Sequence, residues 1–422
     1  MINDFYNKER LTESSDEVYQ RIRAILKHAY NTTNYYKRIF DSSGVNINCP
    51  DEQLLEELSK LPFLTKDVLR TEGNQLVSTV KSKSYKNTSG GSTGEPIVFI
   101  QDEFFRKNAD LTRDFVYRTR GYERGGKLVK IWGAERDTFK GRRAYGDLVK
   151  DFLKRRKIFN SFVLNVKIAK NICIQVAKFK PNLIVAYSQS LFEITKLLGG
   201  CSPFRKGDVG AVHTSAGVLT EHMREAIECF FNAPVYDHYG SREVSSIASQ
   251  LNSTGYYTCL SHFNFVEIVD SNGKNVKPGQ IGEVVVTNLF NQSMPLIRYK
   301  IGDKAMLSTK TYSPVFPLLE ELKGRVVDVF VTEDNTLIDG EYFTHLLYFI
   351  DEIKKFQIVQ HGHTDVEFLI YSDAMLPENV NQQLVESTKH VLGQGCNVKV
   401  TYTEEFILTP TGKHRYTISK VI

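Results

Sequence analysis

The first part of the chain carries hydrophobic residues at helical spacing. Beginning at Ser14, apolar side chains recur three or four positions apart at Val18, Ile22, Ile25, Leu26 and Ala29, which is the pattern of one buried helix face. Ser14 with Glu17 can form a capping box, in which each side chain bonds to the backbone N–H of the other residue. We therefore predict that residues 1–85 form a helical part of a large domain.

Between about Lys86 and Phe265, short β-rich runs alternate with longer amphipathic runs. NLIVAYSQS precedes LFEITKLLGG, and VGAVHTSAG precedes LTEHMREAIECFF and PVYDHYG. This alternation is typical of βα units on a parallel or mixed sheet. Because ligands of such sheets bind at the carboxyl ends of strands, the loops that follow these runs are candidate binding segments.

From about residue 257 the pattern is dominated by strands. HFNFVEIVD, the turn SNGKNVKPGQ and GEVVVTNL predict a small antiparallel sheet. From Gly324 onward, the strand-like runs KFQIVQ, VEFLIY and NVKVTY accompany an amphipathic helix over residues 378–392. We predict an α/β protein whose core spans 86–323, with a β-rich subdomain from about 257, followed by a small α+β domain over 324–422.

Composition narrows the class of protein. Of the 422 residues, 41% are hydrophobic and 24% are charged, which excludes disordered and fibrous chains. No apolar run reaches the roughly 18 residues of a membrane span, and the start MINDFYNKER lacks a signal-peptide core. Six cysteines stand singly, which favours reduced thiols in the cytoplasm; they are Cys49, Cys173, Cys201, Cys229, Cys259 and Cys396.

Charge points to an anionic partner only locally. The net charge of +5 is too small to argue for nucleic acid. The stretch from Arg136 to Lys157, however, holds nine Lys or Arg against three Asp. This stretch either meets an anionic partner or forms a solvated basic helix face, and the sequence leaves both readings open.

A Gly/Ser/Thr-rich segment precedes the β-like run IVFI. Its glycines allow close backbone approach to an anion, and its hydroxyls can donate to phosphate oxygens; the residues are Thr88, Ser89, Gly90, Gly91, Ser92, Thr93 and Gly94. The spacing is neither GxxxxGK[ST] nor GxGxxG, so it predicts neither a P-loop nor a dinucleotide site. Taken alone, a flexible linker explains this composition equally well.

Four further motifs follow in a fixed order: YGSRE at Tyr239–Glu243, RYKIGD at Arg298–Asp303, GRVVD at Gly324–Asp328 and TPTGKHR at Thr409–Arg415. Together they resemble the adenylate-forming superfamily, and most closely its phenylacetate-coenzyme A ligase family, in the branch associated with capsular polysaccharide loci. The resemblance covers residues from about Lys86 to the C-terminus. It implies the adenylate-forming enzyme fold, with a small mobile C-terminal domain, and ATP, Mg²⁺ and coenzyme A as reactants or cofactors.

The resemblance implies a nucleotide site on these motifs. The Gly/Ser/Thr segment would hold the β- and γ-phosphates, with Ser215, Ala216, Gly217, Gly240 and Ser241 completing the nucleotide site. Tyr239 would stack on adenine, Asp303 would accept the ribose hydroxyls, and Glu243 would bind Mg²⁺. Each has an ordinary structural explanation as well: a core tyrosine, a turn aspartate, and a glutamate in the first turn of a helix.

Three cations carry the chemistry implied by the resemblance. Lys413 would bridge the attacking carboxylate and the α-phosphate, where negative charge develops in the transition state. Arg325, at the interdomain junction, would contact ribose or phosphate. Arg242 stands where relatives have a threonine, so it either holds the phosphate or substrate carboxylate or pairs with a neighbouring acid.

The sequence also departs from the family pattern. Thr214-Ser215-Ala216-Gly217 lacks the glutamate found in many relatives, and Val327 stands where an acidic residue is common. Cys259 and His262 are close in sequence but form no four-ligand set, so we predict no zinc.

The acid and its acceptor are the least determined features. Mixed aromatic and polar residues predict a small acid rather than a fatty chain; they are Trp132, Tyr187, Ser188, Tyr236 and His238. All of them can equally be packing residues. VFVTEDNTLIDG replaces the usual loop beyond the hinge, so a sugar amine or hydroxyl stands as an alternative acceptor to coenzyme A.

The expected function is an AMP-forming carboxylate ligase. A catalytically silent nucleotide sensor and an ATPase or kinase are the alternatives, although the absence of a Walker lysine argues against the kinase. Nucleic acid is not an expected partner, and a homodimer is left open.

Overall fold

The structure, a computed structural model, describes residues 15–89, 97–133, 151, 153–199, 202–252, 255–311, 313–323, 328–347, 350, 352–372, 374–407 and 415–421. Two compact units divide the chain: residues 1–89, 97–119 and 238–324 form unit 1, and residues 90–96, 120–237 and 325–422 form unit 2. Both mix helices with sheets, which confirms the predicted α/β class.

The helices are α1 (Ser15–Thr32), α2 (Asn34–Ser43), α3 (Asp51–Ser59), α4 (Lys66–Leu76), α5 (Glu103–Arg118), α6 (Val166–Phe179), α7 (Ser188–Leu197), α8 (Glu221–Phe231), α9 (Gly340–Leu347) and α10 (Glu378–Leu392). The strands are β1 (Ser84–Ser89), β2 (Ile97–Asp102), β3 (Leu128–Ile131), β4 (Arg156–Phe159), β5 (Val163–Leu164), β6 (Leu183–Tyr187), β7 (Ala211–Ser215), β8 (Val235–Ser241), β9 (Ser245–Ser249), β10 (Tyr257–Cys259), β11 (Asn264–Val269), β12 (Ile281–Asn288), β13 (Tyr299–Leu307), β14 (Leu318–Lys323), β15 (Val329–Val331), β16 (Leu337–Asp339), β17 (Ile353–Gly362), β18 (Asp365–Ser372), β19 (Asn397–Tyr402) and β20 (Thr417–Ser419).

Unit 1 begins with the predicted helices. α1 buries its apolar positions from Val18 to Ala29, and Ser14, the predicted capping residue, lies outside the described residues. The next helix, α2, starts at an N-cap, because the Thr33 side chain accepts a hydrogen bond from the Tyr36 N–H at 3.2 Å. It ends at Gly44, whose φ of +63° is a left-handed value that favours glycine.

The sheet of unit 1 is antiparallel. Its strand order is β11-β12-β13-β14-β10-β9-β8, where β8 contributes its last four residues. β1 and β2 form a separate antiparallel hairpin, with Thr88 opposite Val98. The Gly/Ser/Thr segment therefore connects the two strands of this hairpin, although residues 90–96 lie outside the described residues.

Unit 2 contains the predicted parallel sheet. Its strands run in the order β4-β3-β6-β7-β8, where β8 contributes its first three residues. All five residues of β6 are buried, as expected for a strand with both faces covered. The order places the carboxyl ends of β3, β6, β7 and the first part of β8 side by side.

The C-terminal residues of unit 2 form a second sheet. β19, β18, β17 and β20 pair in this order, and α10 occupies the predicted residues, Glu378 to Leu392. The hairpin β15–β16 pairs instead with β5, through Leu337 opposite Leu164 and Ile338 opposite Val163. Across the described part of the chain, no helix is both long and apolar enough to cross a membrane.

Candidate active site

The YGSRE motif forms the end of β8 and the turn after it. Ser241 pairs with Ser245, so Arg242, Glu243 and Val244 make the connection between β8 and β9. The turn is tight, because a Cβ on Gly240 would lie 2.6 Å from the Ser245 carbonyl oxygen. Glu243 thus lies in a β-hairpin turn and not in a helix, which excludes the helix-turn explanation of this residue.

Glu243 is held by a neighbour from another motif. Its side chain is buried, at 5% exposure, and its Oε1 accepts a hydrogen bond from the hydroxyl of Tyr299 at 3.3 Å. Tyr299 belongs to the RYKIGD motif and is fully buried. Sequence analysis did not assign a role to this tyrosine, because its partner lies 56 positions away in the chain.

Asp303 of the same motif faces Tyr239. The Tyr239 hydroxyl donates to Asp303 Oδ2 at 2.9 Å. Asp303 follows Gly302, whose φ is +97°, in a stretch where the pairing of β12 with β13 is irregular. Such bulges re-aim side chains, and this one places Asp303 against the tyrosine. Two contacts therefore join the YGSRE and RYKIGD motifs in antiparallel order.

Gln101 of β2 is a contributor that sequence analysis missed. Its buried amide donates to the carbonyl oxygens of Arg242 and Glu243, at 2.9 and 3.1 Å. The Gln101 oxygen in turn accepts from the Asn87 amide at 3.2 Å. Asn87 precedes Thr88, so one glutamine fastens the β1–β2 hairpin to the turn that carries Glu243. Only its position directly after IVFI could have drawn attention to it.

The remaining nucleotide-binding predictions are placed in part. Thr88 Oγ1 is buried, with no hydrogen-bond partner among the residues that the structure describes. Arg242 is half-buried beside Glu243. Gly90, Gly91, Ser92, Thr93, Gly94, Arg325 and Lys413 lie outside the described residues, so their predicted roles stay predictions.

In unit 2, the predicted acid-binding residues follow neighbouring strands. Trp132 comes directly after β3 and stacks on Tyr187, the last residue of β6, with ring centroids 4.1 Å apart. Ser188 is fully buried, and its Oγ finds no partner within the described ranges. A Cβ on Gly217 would lie 2.9 Å from this Oγ, so the segment after β7 approaches the segment after β6 closely.

The segment after β7 has an unusual backbone. Ala216 has φ of +63°, a left-handed value that is uncommon for a residue other than glycine and that often marks a functional segment. Beside it, Thr214 donates from its hydroxyl to Asp237 Oδ1 at 2.7 Å, and both residues are buried. The structure therefore brings Ser215, Ala216 and Gly217 to the same sheet edge as Trp132, Tyr187 and Ser188.

Tyr236 and His238 are neighbours on β8 but have different surroundings. The guanidinium of Arg120 lies 5.6 Å from the centroid of the Tyr236 ring. His238, which belongs to unit 1, has its Nδ1 at 3.2 Å from the Ser249 hydroxyl. A cation over an aromatic ring is favourable, so Arg120 stabilises the ring of Tyr236.

Arg298, at the start of the RYKIGD motif, is a structural residue. It is buried and makes a bidentate ion pair with Glu267, at 2.9 and 3.2 Å. It also donates to the carbonyl oxygens of Ser59 and Leu61, both at 2.6 Å. These bonds hold the segment after α3 against the sheet of unit 1.

Within the described ranges, the structure does not group ligands for a structural metal. No cluster of three or more His, Cys, Asp or Glu side chains occurs among the described residues. Burial raises the pKa of the Cys259 thiol, and burial together with Arg21 lowers the pKa of His262 to about 3. Mg²⁺ that binds with ATP usually takes one or two protein carboxylates and otherwise substrate phosphates, so the single carboxylate of Glu243 fits that ion.

Comparisons with known proteins find relatives that cover most of the chain. The family model described as the CapK C-terminal domain matches residues 330–420. Protein CapK of Staphylococcus aureus is 22% identical over 95% of this chain and 88% of its own. Phenylacetate-coenzyme A ligase of Escherichia coli is 26% identical over 84% of this chain and 82% of its own.

Among solved structures, 2-hydroxyisobutyryl-CoA ligase in complex with 2-HIB-AMP and CoA is similar to this chain over 98% of this chain and 92% of its own, with a TM-score of 0.61 and 17% identity. The same ligase in its postadenylation state has a TM-score of 0.58 and 18% identity, over 98% of this chain and 94% of its own. These comparisons confirm the predicted fold of adenylate-forming enzymes and the predicted resemblance to the phenylacetate-coenzyme A ligases, with CapK as a relative from the capsular polysaccharide branch.

Proposed function

We propose that this protein is an AMP-forming carboxylate ligase, which activates a small acid as an acyl-adenylate and transfers it to coenzyme A. The observation that carries the proposal is the pair of contacts between the YGSRE and RYKIGD motifs. They bring together a half-buried tyrosine ring, a carboxylate beside it and a second, buried carboxylate. The ring would stack on adenine, the carboxylate beside it would accept the ribose hydroxyls, and the buried carboxylate would bind an Mg²⁺ ion.

Each residue has one task in the first half-reaction. Tyr239 stacks on adenine, and its hydroxyl orients Asp303 toward the ribose hydroxyls. Glu243 would hold Mg²⁺, which supplies positive charge to the phosphate oxygens when it is bound. The Thr88–Gly94 segment donates to the β- and γ-phosphates, and Lys413 neutralises the charge that develops between the carboxylate and the α-phosphate.

The acid is proposed to meet the carboxyl ends of the parallel strands of unit 2. Trp132 and Tyr187 offer stacked rings, while Ser188 offers a hydroxyl that has no partner in the described part of the chain. A buried hydroxyl without a partner costs free energy unless a ligand or water bonds to it. A small acid with an aromatic or branched body and one polar group satisfies both features.

A sugar amine or hydroxyl is the second candidate acceptor. The segment VFVTEDNTLIDG replaces the usual loop after the hinge. Its side chains bond to one another, because Asp334 accepts hydrogen bonds from the hydroxyls of Thr332 and Thr336. Between Asp151 and Glu193 the sequence holds eight Lys or Arg and no Asp or Glu. An anionic glycan carrier and the phosphates of coenzyme A would both be attracted to this positive charge.

The test is ATP–pyrophosphate exchange over a panel of small aryl, hydroxy and amino acids, followed by AMP release with and without coenzyme A. We expect exchange with one acid class and AMP release that depends on coenzyme A. If exchange occurs but the rate of AMP release is the same with and without coenzyme A, the result would favour the sugar acceptor. ATP binding without exchange for any acid would contradict the proposal and favour a nucleotide sensor.

A variant pair tests the role of Lys413. We expect Lys413→Ala to lower the exchange rate by about 10²–10³-fold, with ATP affinity within a few-fold of the original. Lys399→Ala removes an exposed lysine that pairs with Glu367 and should leave both quantities unchanged. Exchange at the original rate in Lys413→Ala would refute the role.

A further inference from the structure

One buried glutamine of the C-terminal sheet holds both ends of the segment that carries Lys413. Gln357 lies on β17 and is fully buried. Its amide nitrogen donates to the carbonyl oxygens of Ile407 and Arg415, both at 2.8 Å. Its oxygen accepts from the Ile407 N–H at 2.9 Å. Residues 408–414 lie between these two residues in the sequence, so a single side chain bonds to the backbone on both sides of them.

A second attachment acts on the return side alone. The Asp328 carboxylate forms an ion pair with Arg415 and accepts from the Ser419 N–H at 3.0 Å. The Asp328 N–H donates to the Thr417 hydroxyl at 3.1 Å. Asp328 ends the GRVVD motif, so the junction before the C-terminal domain is tied to the strand that follows Lys413.

We propose that Gln357 is a positioning residue for Lys413, with the Asp328–Arg415 ion pair as its support; this rests on the proposed function. A lysine side chain has four rotatable bonds, so its ammonium reaches a defined point only if its backbone is fixed. Misplacing a catalytic group by about 1 Å costs on the order of 10²-fold in rate. One amide holds the backbone at Ile407 and at Arg415, the residues on either side of the stretch that contains Lys413.

The strand offers a matched control. Gln360 lies three residues further along β17, is equally buried, and also bonds through both ends of its amide, to the N–H and carbonyl oxygen of Val331 at 3.0 and 2.7 Å. Its side chain bonds to β15 and, through the Ser419 hydroxyl at 2.9 Å, to β20, but to neither Ile407 nor Arg415. If Gln357 only satisfies buried polar groups, Gln357→Leu and Gln360→Leu should have the same effects.

The experiment compares these two variants in both half-reactions. We expect Gln357→Leu to lower kcat for ATP–pyrophosphate exchange about 10–100-fold, with KM for ATP within about twofold. Its turnover of a chemically prepared acyl-adenylate with coenzyme A should stay within about threefold. Gln360→Leu should show a similar loss of melting temperature without the selective loss of exchange. Equal losses in both half-reactions, or equal behaviour of the two variants, would overturn the proposal.

A readout that needs no acid separates this proposal from the proposed function. Trypsin cleaves after Lys413, and we expect Gln357→Leu to speed this cleavage at least tenfold relative to Gln360→Leu, measured by mass spectrometry of the nicked chain. Equal cleavage rates would refute the positioning role whatever the enzyme's activity. If the original protein shows no exchange with any acid, the proposed function fails while this result still stands.

If Gln357→Leu does not fold, the Arg415→Ala variant tests the proposal in its place. Arg415 is half-buried, so its removal leaves the sheet core intact. We expect the same selective loss of exchange and faster cleavage after Lys413. The control is Arg23→Ala, which breaks a partly exposed ion pair with Asp51 and should change neither. Unchanged exchange and cleavage in Arg415→Ala would overturn the proposal.

Discussion

The contact between Tyr239 and Asp303 makes a quantitative prediction about ATP binding. In the free protein, the Tyr239 hydroxyl holds the Asp303 carboxylate through a 2.9 Å hydrogen bond. Tyr239→Phe keeps the ring for stacking but leaves the carboxylate to be ordered when ATP binds. Ordering one side chain costs about 0.5–1.5 kcal/mol, so we expect ATP affinity to fall about 2–12-fold.

Asp303→Asn should have the larger effect. It removes the charge from the hydrogen bonds to the ribose hydroxyls, and hydrogen bonds to charged groups contribute about 1.5–3 kcal/mol. We therefore expect a loss of about 10–150-fold in ATP affinity. In the double variant no carboxylate remains to be ordered, so adding Tyr239→Phe to Asp303→Asn should change the affinity by less than twofold.

The assay is isothermal titration calorimetry with ATP and Mg²⁺, without acid, on proteins whose melting temperatures have been compared. Tyr30→Phe is the control, because its hydroxyl makes a similar 3.0 Å bond to Asp41 on the exposed helices; it should bind ATP normally. If the effects of Tyr239→Phe and Asp303→Asn multiply in the double variant, the tyrosine acts independently of Asp303 and the reasoning is refuted.

Three further predictions concern the same unit. Glu243→Gln should raise the Mg²⁺ concentration for half-maximal exchange about tenfold, since an anionic ligand is lost; an unchanged Mg²⁺ titration would contradict its role. Glu267→Gln should lower the free energy of unfolding in urea by about 3–5 kcal/mol, because Arg298 stays buried without a counterion. Glu283→Gln breaks a partly exposed pair with Lys300 and should cost under about 1 kcal/mol. Burial lowers the pKa of His262 to about 3, so between about pH 6.5 and pH 3 the unfolded chain binds a proton at this residue and the folded chain does not. Stability is therefore lost as the pH falls through this range, by roughly 3 kcal/mol at about pH 4.5. In urea titrations at neutral pH and at about pH 4.5, His262→Gln should remove this loss.

Periodicity and turn residues located the helices and strands well. The amphipathic pattern over 378–392 gave α10 with its bounds, because Pro377 precedes the helix and Gly393, with φ of +105°, follows it. The runs before Tyr187 and Ser215 gave buried parallel strands, since continuous apolar runs with turn residues behind them suit a sheet covered on both faces.

The side-chain contacts inside the candidate site could not be predicted from the sequence. Motif order placed Tyr239, Glu243 and Asp303 in one family site, but their partners depend on how β8 and β13 are placed in the fold, and these strands are far apart in the chain. Gln101 bonds to the backbone of one turn that is distant in sequence, and Gln357 bonds to two backbone segments, at Ile407 and Arg415. A glutamine in a strand carries no signal of that role, because any strand can accommodate one.

The short ladder between β16 and β5 sets an energy scale for domain motion. If the C-terminal domain rotates between half-reactions, as the family resemblance implies, two residue pairs separate, at about 0.5–1.5 kcal/mol for each hydrogen bond. Phe162, now buried against Tyr342 at 5.8 Å between centroids, becomes exposed at about 1.5–3 kcal/mol. If these contacts account for the difference in energy, the rotated arrangement would be a minor but populated state. A reactant that binds the rotated arrangement more tightly by the same few kcal/mol would then make it the major state. The contacts of the ladder would thus be comparable in energy to the binding of one reactant.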